Sequence, residues 1–152
     1  MARYKQGFFK PINPEKYKGN TSRGSIVYRS GWELKMMSKL DKHPDVKLWS
    51  SEEVVIPYIS PIDNRYHRYF VDFYVEFEDK DGNEKKWLIE VKPKKQVTPP
   101  VRKKHQKEKT FLKEVLTWGV NEAKWKAARE ACKNKGWEFK ILTEDDLFRK
   151  PT

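Results

Sequence analysis

The chain has 152 residues, which is long enough for one compact domain with a sizeable core and too short for two ordinary domains. Its 33 Lys and Arg residues outnumber its 22 Asp and Glu residues and leave a formal net charge of +11. Nucleic acid is therefore the first partner to expect. The alternative is a basic protein whose lysines only face solvent. The single cysteine excludes an internal disulfide, and the three separated histidines argue against a zinc site. No apolar run resembles a membrane span or a secretion signal.

The first residues mix Lys, Arg, Pro, Gly and aromatic side chains without a helical or a strand period. They predict an irregular basic amino-terminal arm over residues 1–24, whose cations could contact phosphates. The rest of the chain, residues 25–152, predicts a single folded domain.

A helix and two short strands open this domain. Apolar residues recur at helical spacing at Leu34, Met36, Met37 and Leu40. With the stop signal of His43-Pro44, they predict a helix over residues 25–42. Residues 46–49 and 54–58 predict strands, and residues 61–64 predict a turn.

Strict alternation marks a pair of longer strands. Over residues 67–77 the odd positions include Val71, Phe73 and Val75, and residues 87–92 alternate in the same way. Residues 79–84, between them, carry the Asp-Gly signal of a hairpin. We therefore expect the odd positions of both strands to face the core.

This parity places three charged residues together, because Asp72, Glu90 and Lys92 all hold even positions. Burying the odd positions of both strands on one face requires a hairpin connection of odd length. A connection centred on Asp81 places Asp72 opposite Glu90, and one centred on Gly82 places Asp72 opposite Lys92. Two carboxylates and an ammonium group in that arrangement suit Mg²⁺ or Mn²⁺ and a phosphodiester. The alternative is an ordinary charged face on a solvent-exposed hairpin.

Glu33 is a second candidate, because it lies at helical spacing from the apolar Met36, Met37 and Leu40. A carboxylate on an apolar stripe needs a compensating cation, which makes a metal-ligand role physically reasonable. The alternative is structural, since Ser30-Gly31-Trp32-Glu33 matches the S-x-x-E capping box that starts a helix.

The carboxy-terminal part predicts more helix and one further strand. After a break at residues 97–100, helical stretches are predicted at 101–117 and 120–135, with Cys132 as a small buried thiol. A strand at residues 137–142 and a capped helical turn at 143–148 follow. The pattern predicts an α/β fold.

Basic residues follow Lys92 directly and predict a DNA track with little base discrimination. The candidate phosphate contacts are Lys94, Lys95, Arg102, Lys103, Lys104 and Lys107, with Arg68 on the preceding strand. The alternative is a solvated, lysine-rich helix face.

Four segments resemble, in order, the amino-terminal nuclease domain of TnsA-type transposon endonucleases, which are PD-(D/E)XK nucleases. These segments are Tyr28-Arg29-Ser30-Gly31-Trp32-Glu33, Ile56-Pro57-Tyr58, Arg68-Tyr69-Phe70-Val71-Asp72-Phe73 and Ile89-Glu90-Val91-Lys92. The length and the opening segment are more closely similar to the head-completion nucleases of T-even-type tailed phages. Val71 stands where the PD-(D/E)XK pattern expects proline, a position that supplies no ligand.

The resemblance implies a restriction-endonuclease-like fold, a mixed central sheet flanked by helices. It implies that Glu33, Asp72 and Glu90 bind Mg²⁺, or Mn²⁺ in its place, and that Lys92 activates the nucleophile. The implied activity is that of an Mg²⁺-dependent endodeoxyribonuclease that trims packaged phage DNA ends before neck and tail joining. Two alternatives are a non-catalytic head-completion protein that binds DNA or the portal, and a TnsA-like transposase subunit.

The same resemblance implies where and with what the protein acts. The expected partners are DNA, portal or neck proteins, and a second copy in a homodimer, with no membrane partner. The expected location is the host cytoplasm during assembly, or the virion, and the protein is not expected to be secreted.

Overall fold

The computed structural model describes residues 6–148. Residues 1–5 of the predicted arm and residues 149–152 of the predicted domain lie outside this range. In chain order the elements are β1 (Gly7–Phe8), β2 (Val27–Tyr28), α1 (Gly31–Lys42), β3 (Val46–Ser51), β4 (Val55–Ile59), β5 (Tyr66–Phe70), β6 (Phe73–Glu78), β7 (Glu84–Val91), α2 (Glu108–Lys135), β8 (Glu138–Leu142) and α3 (Glu144–Leu147). Short 3-10 helices occupy Pro14–Lys16 and Lys94–Gln96.

The main sheet has four strands in the order β3-β6-β7-β8. The first two pairings are antiparallel, and β8 lies parallel to β7. Two further pairs, β1-β2 and β4-β5, form separate two-stranded sheets. The α/β prediction with a mixed central sheet is therefore confirmed, and β7 lies inside the sheet with a neighbour on each side.

Each face of the main sheet carries its own hydrophobic core. On one face, Phe73, Val75 and Ile89 pack with residues of α1 and with Leu147 of α3. On the other face, Tyr74 and Leu88 pack with residues of α2 and of the β4-β5 pair. Because both faces are covered, the hairpin is not the solvent-exposed ribbon that the alternative interpretation required.

The β6–β7 hairpin follows the odd-length connection expected from side-chain parity. Phe73 pairs with Ile89 and Glu78 with Glu84, so residues 79–83 form the connection, with Gly82 at a φ of 81°. This is the register centred on Asp81, one of the two predicted. Odd positions 73, 75 and 89 face the first core as predicted, and even positions 74 and 88 face the second.

The strand predicted over residues 67–77 is interrupted at Val71 and Asp72, which separate β5 from β6. The two halves belong to different sheets, because β5 pairs with β4 whereas β6 pairs with β3 and β7. Val71 accordingly packs in the second core, while the next odd residue, Phe73, packs in the first. The expectation of one continuous strand was wrong, and the break falls at the predicted catalytic aspartate.

The described part of the amino-terminal arm, residues 6–24, packs on the sheet. Tyr17 is buried and meets the ring of Trp49 edge-on, with 4.7 Å between centroids. The backbone amides of Ile12 and Asn13 donate to the carboxylate of Asp41 at 2.7 and 3.0 Å. Residues 27–28 pair with β1, so α1 begins at Gly31, later than predicted.

A single helix replaces the two that were predicted in the carboxy-terminal half. α2 starts at Glu108 and continues through Gly119 to Lys135, ending at Gly136 in the left-handed conformation with a φ of 73°. Its buried residues lie between Asn121 and Cys132, the latter buried as predicted, whereas Leu112 and Leu116 nearer its start are exposed. Residues 101–107 form a loop. Within residues 6–148, no helix is both long enough and apolar enough to cross a membrane.

Candidate active site

Asp72 lies at the bend between β5 and β6, where two separate sheets meet. Its Oδ2 accepts a hydrogen bond of 2.8 Å from the backbone amide of Val91 on β7. Its backbone carbonyl accepts one of 3.1 Å from the amide of Glu52. The β6–β7 register, continued by one residue beyond the Phe73–Ile89 pair, sets Asp72 beside Glu90. The half-buried carboxylate is thereby fixed against the strand that carries Glu90.

Glu90 is buried, with 8% of its surface exposed, and each of its carboxylate oxygens has a neighbour. Oε2 accepts a 2.5 Å hydrogen bond from the hydroxyl of Tyr69 on β5. Oε1 lies 3.8 Å from Nζ of Lys92. The backbone amide of Lys92 donates to the carbonyl of Leu142 on β8 at 2.9 Å, which holds the end of β7 in place.

The electrostatics of Asp72 show a concentration of negative charge. Burial raises the pKa of Asp72 well above its usual value, and the nearby Glu90 and Glu33 carboxylates raise it further. The Val91 amide and the Lys92 ammonium oppose this rise. These two groups lower the pKa of Asp72 less than burial and the neighbouring carboxylates raise it. A bound cation would therefore relieve the repulsion between the carboxylates.

Glu33 lies in the first turn of α1, and the geometry there is that of a helix cap. The Ser30 hydroxyl accepts a hydrogen bond of 3.1 Å from the Glu33 amide, and the Glu33 carboxylate accepts one from the Arg29 amide. Burial raises the pKa of Glu33, and the neighbouring Glu52 carboxylate adds to the rise. Ser30 is thus the N-cap of α1, while the Glu33 carboxylate binds the amide one residue before the cap and does not complete the predicted capping box. Glu33 also acts electrostatically on Asp72.

Two neighbours of the site were missed from the sequence. Tyr69 holds Glu90, and its position on β5, three residues before Asp72, was the available signal. Glu52 joins the Asp72 carbonyl to Arg29, with which it forms a 3.2 Å ion pair, while adopting a left-handed φ of 55° that is uncommon outside glycine. No sequence period marks Glu52, because it follows the last residue of β3.

Within residues 6–148, no group of three or more His, Cys, Asp or Glu side chains is arranged to hold a metal ion. The donors that do converge, Asp72 and Glu90, with Glu33 acting on Asp72, are hard carboxylate oxygens. Such oxygens are the ligands that Mg²⁺ and Mn²⁺ prefer. The chemistry of these residues therefore fits a divalent cation of that kind.

The predicted phosphate contacts lie on the surface, mostly in the segment between β7 and α2. Lys95, Arg102, Lys103, Lys104 and Lys107 are exposed. Since α2 begins only at Glu108, these residues do not form the lysine-rich helix face of the alternative interpretation.

Two further predicted contacts have protein partners. Lys94 is exposed, and its Nζ lies 3.0 Å from Oδ2 of Asp145 at the start of α3. The hydrogen bond from Lys94 to Asp145 raises the pKa of the Lys94 ammonium. Arg68 is exposed on β5 and lies over the ring of Phe70, 5.4 Å from its centroid.

Comparison with known proteins gives two matches. Residues 43–144 match the family model described as TnsA-like endonuclease N terminal. The head completion nuclease of Enterobacteria phage T4 is 41% identical over 144 residues, which cover 93% of this chain and 92% of that protein. The comparison with solved structures finds no match. The range matched by the family model contains Asp72, Glu90 and Lys92 and begins after Glu33.

Proposed function

The chain belongs to the TnsA-like endonuclease N-terminal family, and on that premise we propose that this endonuclease is an Mg²⁺-dependent enzyme that hydrolyses phosphodiester bonds of DNA. Family membership confirms the resemblance read from the four motifs. The observation that carries the proposal is the convergence of Asp72, Glu90 and Lys92 at one end of the β6–β7 pair.

Asp72 and Glu90 would hold the metal ion, with Glu33 of α1 as a third carboxylate acting directly or through water. When bound, Mg²⁺ would polarise the phosphodiester and lower the pKa of the attacking water. The pKa of Asp72, raised by burial and by the adjacent carboxylates, supports this assignment, because a site built to attract a divalent cation leaves its carboxylates uncompensated without one.

The remaining roles fall to residues that touch these carboxylates. Lys92, with Nζ 3.8 Å from Glu90, would orient the attacking water, take up its proton, or stabilise the charge that develops on the phosphate. Tyr69 donates its hydroxyl hydrogen to Glu90 and keeps that carboxylate facing the site. The Val91 amide does the same for Asp72.

DNA would reach the site across the loop between β7 and α2. Lys95, Arg102, Lys103, Lys104 and Lys107 are exposed there, close in sequence to Lys92, and the whole chain carries a net charge of +11. Lys94 would add to this surface once its pairing with Asp145 is exchanged for a phosphate. Arg68 would contact the backbone from β5. Contacts of this kind bind phosphates and carry little sequence information.

The proposed biological role follows the relative that matches nearly the whole chain, the head completion nuclease of Enterobacteria phage T4. By analogy, the substrate would be DNA that protrudes from a filled head. The enzyme would trim it before the neck and tail attach, with portal or neck proteins as partners. It would act in the host cytoplasm during assembly and could stay with the virion.

A homodimer would bring two active sites to the two strands of a duplex. The first half of α2 supports this proposal, because Leu112, Val115 and Leu116 are 52%, 40% and 55% exposed and lie at helical spacing. The charges along this stretch sum to zero, since it carries two acidic and two basic residues, Glu108, Lys109, Lys113 and Glu114. Two copies of a basic protein could therefore meet there without repulsion.

Analytical ultracentrifugation of the wild type and of Leu116→Glu tests the proposed homodimer. A dimer that the variant abolishes supports the proposal, and a wild-type monomer refutes it.

The decisive experiment compares cleavage of linear and supercoiled DNA by the wild type and by Asp72→Ala, with Mg²⁺, with Mn²⁺ and with EDTA. We expect cleavage by the wild type with either metal, none with EDTA, and none by the variant, which should still bind DNA. If both proteins bind DNA and neither cuts it under any condition, the proposal of an autonomous enzyme fails. A structural role in holding DNA or the portal would then replace it.

A further inference from the structure

An open groove of about 460 Å³ lies between α2, β8 and the segment that follows the catalytic strand. Its walls come from Trp118, Trp125 and Ala123 of α2, from Ile141 of β8 and from Val97. This volume lies in the range of pockets that take a single small ligand. None of these residues has a role in the proposed hydrolysis.

Two tryptophans give the groove an aromatic wall. The rings of Trp118 and Trp125 meet edge-on, with 5.8 Å between centroids. Trp125 is 3% exposed, whereas Trp118 is only partly buried. Trp118 therefore provides the ring face on which a flat ligand could stack.

Charged side chains stand at the solvent side of the same groove. Lys126 and Arg129 are exposed residues of α2 that line it together with Glu122. Two cations beside a flat aromatic wall suit a ligand that is aromatic at one end and anionic at the other. A nucleotide has that composition.

The groove lies one strand away from the proposed catalytic carboxylate. Ile141, which lines it, is the partner of Glu90 in the parallel β7–β8 pairing, and neighbouring strands are about 4.8 Å apart. Val97, on another wall, follows directly after the Lys94–Gln96 turn that leaves the active site. A DNA strand that crosses Glu90 and the basic loop therefore passes the mouth of the groove.

We propose that this groove holds an unpaired base of the DNA strand being cut, so that the enzyme prefers DNA with unpaired nucleotides next to the scissile phosphate. The base stacks on Trp118, and the adjoining phosphates meet Lys126 and Arg129. This inference rests on the proposed function, because it assumes DNA as the substrate. It adds a selectivity for DNA structure that phosphate contacts alone do not provide.

The test measures binding in EDTA, where no hydrolysis is expected. Fluorescence anisotropy compares a fully paired duplex with the same duplex carrying one unpaired nucleotide. We expect the wild type to bind the second about tenfold more tightly, the size of effect that stacking of one base on an aromatic side chain gives. Trp118→Ala should abolish this preference and leave the affinity for the paired duplex nearly unchanged. With 2-aminopurine as the unpaired base, the wild type should quench its emission and Trp118→Ala should not.

Two charge-reversal variants test the groove without replacing a tryptophan, in case Trp118→Ala fails to fold. Lys126→Glu and Lys133→Glu change the net charge equally at exposed positions of α2, but only Lys126 lines the groove. Lys126→Glu should reduce the preference for the unpaired duplex, and Lys133→Glu should leave it intact. Equal binding of both duplexes by the wild type, or a preference that survives Trp118→Ala, overturns the inference.

These outcomes are separable from the fate of the proposed function. If cleavage depends on metal and on Asp72 but shows no preference for unpaired DNA, only the proposed role of the groove is refuted. If Trp118→Ala abolishes a preference for unpaired DNA in a protein that never cuts DNA, the role of the groove is supported and the proposed nuclease activity is refuted.

Discussion

The hydroxyl of Tyr69 donates a 2.5 Å hydrogen bond to Oε2 of Glu90, and both side chains are buried. The bond links β5 of the small sheet to β7 of the main sheet. Burial raises the pKa of Tyr69, and the Glu90 carboxylate raises it further, so the phenol keeps its proton and remains a donor at neutral pH. One orientation of Glu90 is thus selected before any metal binds.

Tyr69→Phe removes this donor with little change in shape. We expect the affinity for Mg²⁺ and the rate of cleavage to fall by about 10- to 100-fold, as is usual when the partner of a metal ligand is removed. The free energy of unfolding should fall by about 1–2 kcal/mol, because a buried carboxylate oxygen loses its hydrogen bond. Metal titration of cleavage and urea denaturation measure the two effects.

Tyr58→Phe is the matched control. Tyr58 is a buried tyrosine of the same core, and its hydroxyl makes no hydrogen bond to another described residue. It should leave the Mg²⁺ dependence unchanged. Equal losses in the two variants would contradict a specific role for Tyr69.

Asp72→Asn should stabilise the metal-free protein while abolishing cleavage. The change removes a carboxylate whose ionisation is opposed by burial and by Glu90, yet leaves an oxygen to accept the Val91 amide. We expect a gain of about 1–2 kcal/mol in the free energy of unfolding at neutral pH in EDTA. Thermal or urea denaturation in EDTA measures it.

The gain should depend on pH with a defined sign. Because the pKa of Asp72 is higher in the folded state than in the unfolded state, the folded wild type binds the proton more readily, and ionisation destabilises it as the pH rises. The advantage of Asp72→Asn should therefore be largest above the raised pKa and vanish below about pH 4, the ordinary value for aspartate.

Asp79→Asn provides a control of opposite sign in the same hairpin. Hydrogen bonds from the Asn83 and Asp81 amides lower the pKa of Asp79, so its ionised form stabilises the fold. This variant should lose stability at neutral pH, and the loss should shrink as the pH falls through the lowered pKa. A pH profile of the same sign for both variants would refute this account.

Lys92→Met should lower the cleavage rate by at least about 100-fold and change DNA affinity by no more than about twofold. The side chain of Lys92 is only 23% exposed and lies against Glu90, so we expect its charge to serve the proposed reaction more than the binding of DNA. Single-turnover cleavage and anisotropy in EDTA separate the two quantities. Lys94→Met, at a side chain 71% exposed, should leave the cleavage rate close to that of the wild type.

The basic loop should govern how steeply DNA binding depends on salt. Replacing Arg102, Lys103 and Lys104 by alanine should reduce the slope of log affinity against log salt by about 2 to 3, nearly one for each phosphate that the variant no longer neutralises. The control replaces Lys85, Lys86 and Lys135, which line a separate pocket near the start of β7, away from Glu90. Equal slopes for the two triple variants would exclude the loop as the DNA track.

Much of the site could be predicted because it depends on a local hairpin. Alternation along β6 and β7 defines which residues share a face. A connection of odd length brings Asp72 and Glu90 together, whether the turn is centred on Asp81 or on Gly82. The cap of α1 and the final helical turn were also accessible from short-range patterns. These features depend on residues close together in the chain.

Features that depend on distant contacts were not accessible. The alternation of residues 67–77 continues across Asp72, and only the pairing of β5 with β4 and of β6 with β3 reveals the break. The sequence predicted separate helical stretches at 101–117 and 120–135, but α2 continues through Gly119, and its later residues pack in the second core. Likewise, the contact of Tyr17 with Trp49 leaves no period in the sequence.

The position of β7 between β6 and β8 separates two stages in the assembly of the candidate site. The β6–β7 hairpin by itself sets Asp72 beside Glu90, because its register is fixed by side-chain parity and by the turn. The backbone amide of Lys92 gains its acceptor, the carbonyl of Leu142, only from β8, which is the last strand of this sheet in the chain. The two carboxylates are thus brought together by residues close in sequence, whereas the end of β7 that carries Lys92 is held by the last strand to be synthesised.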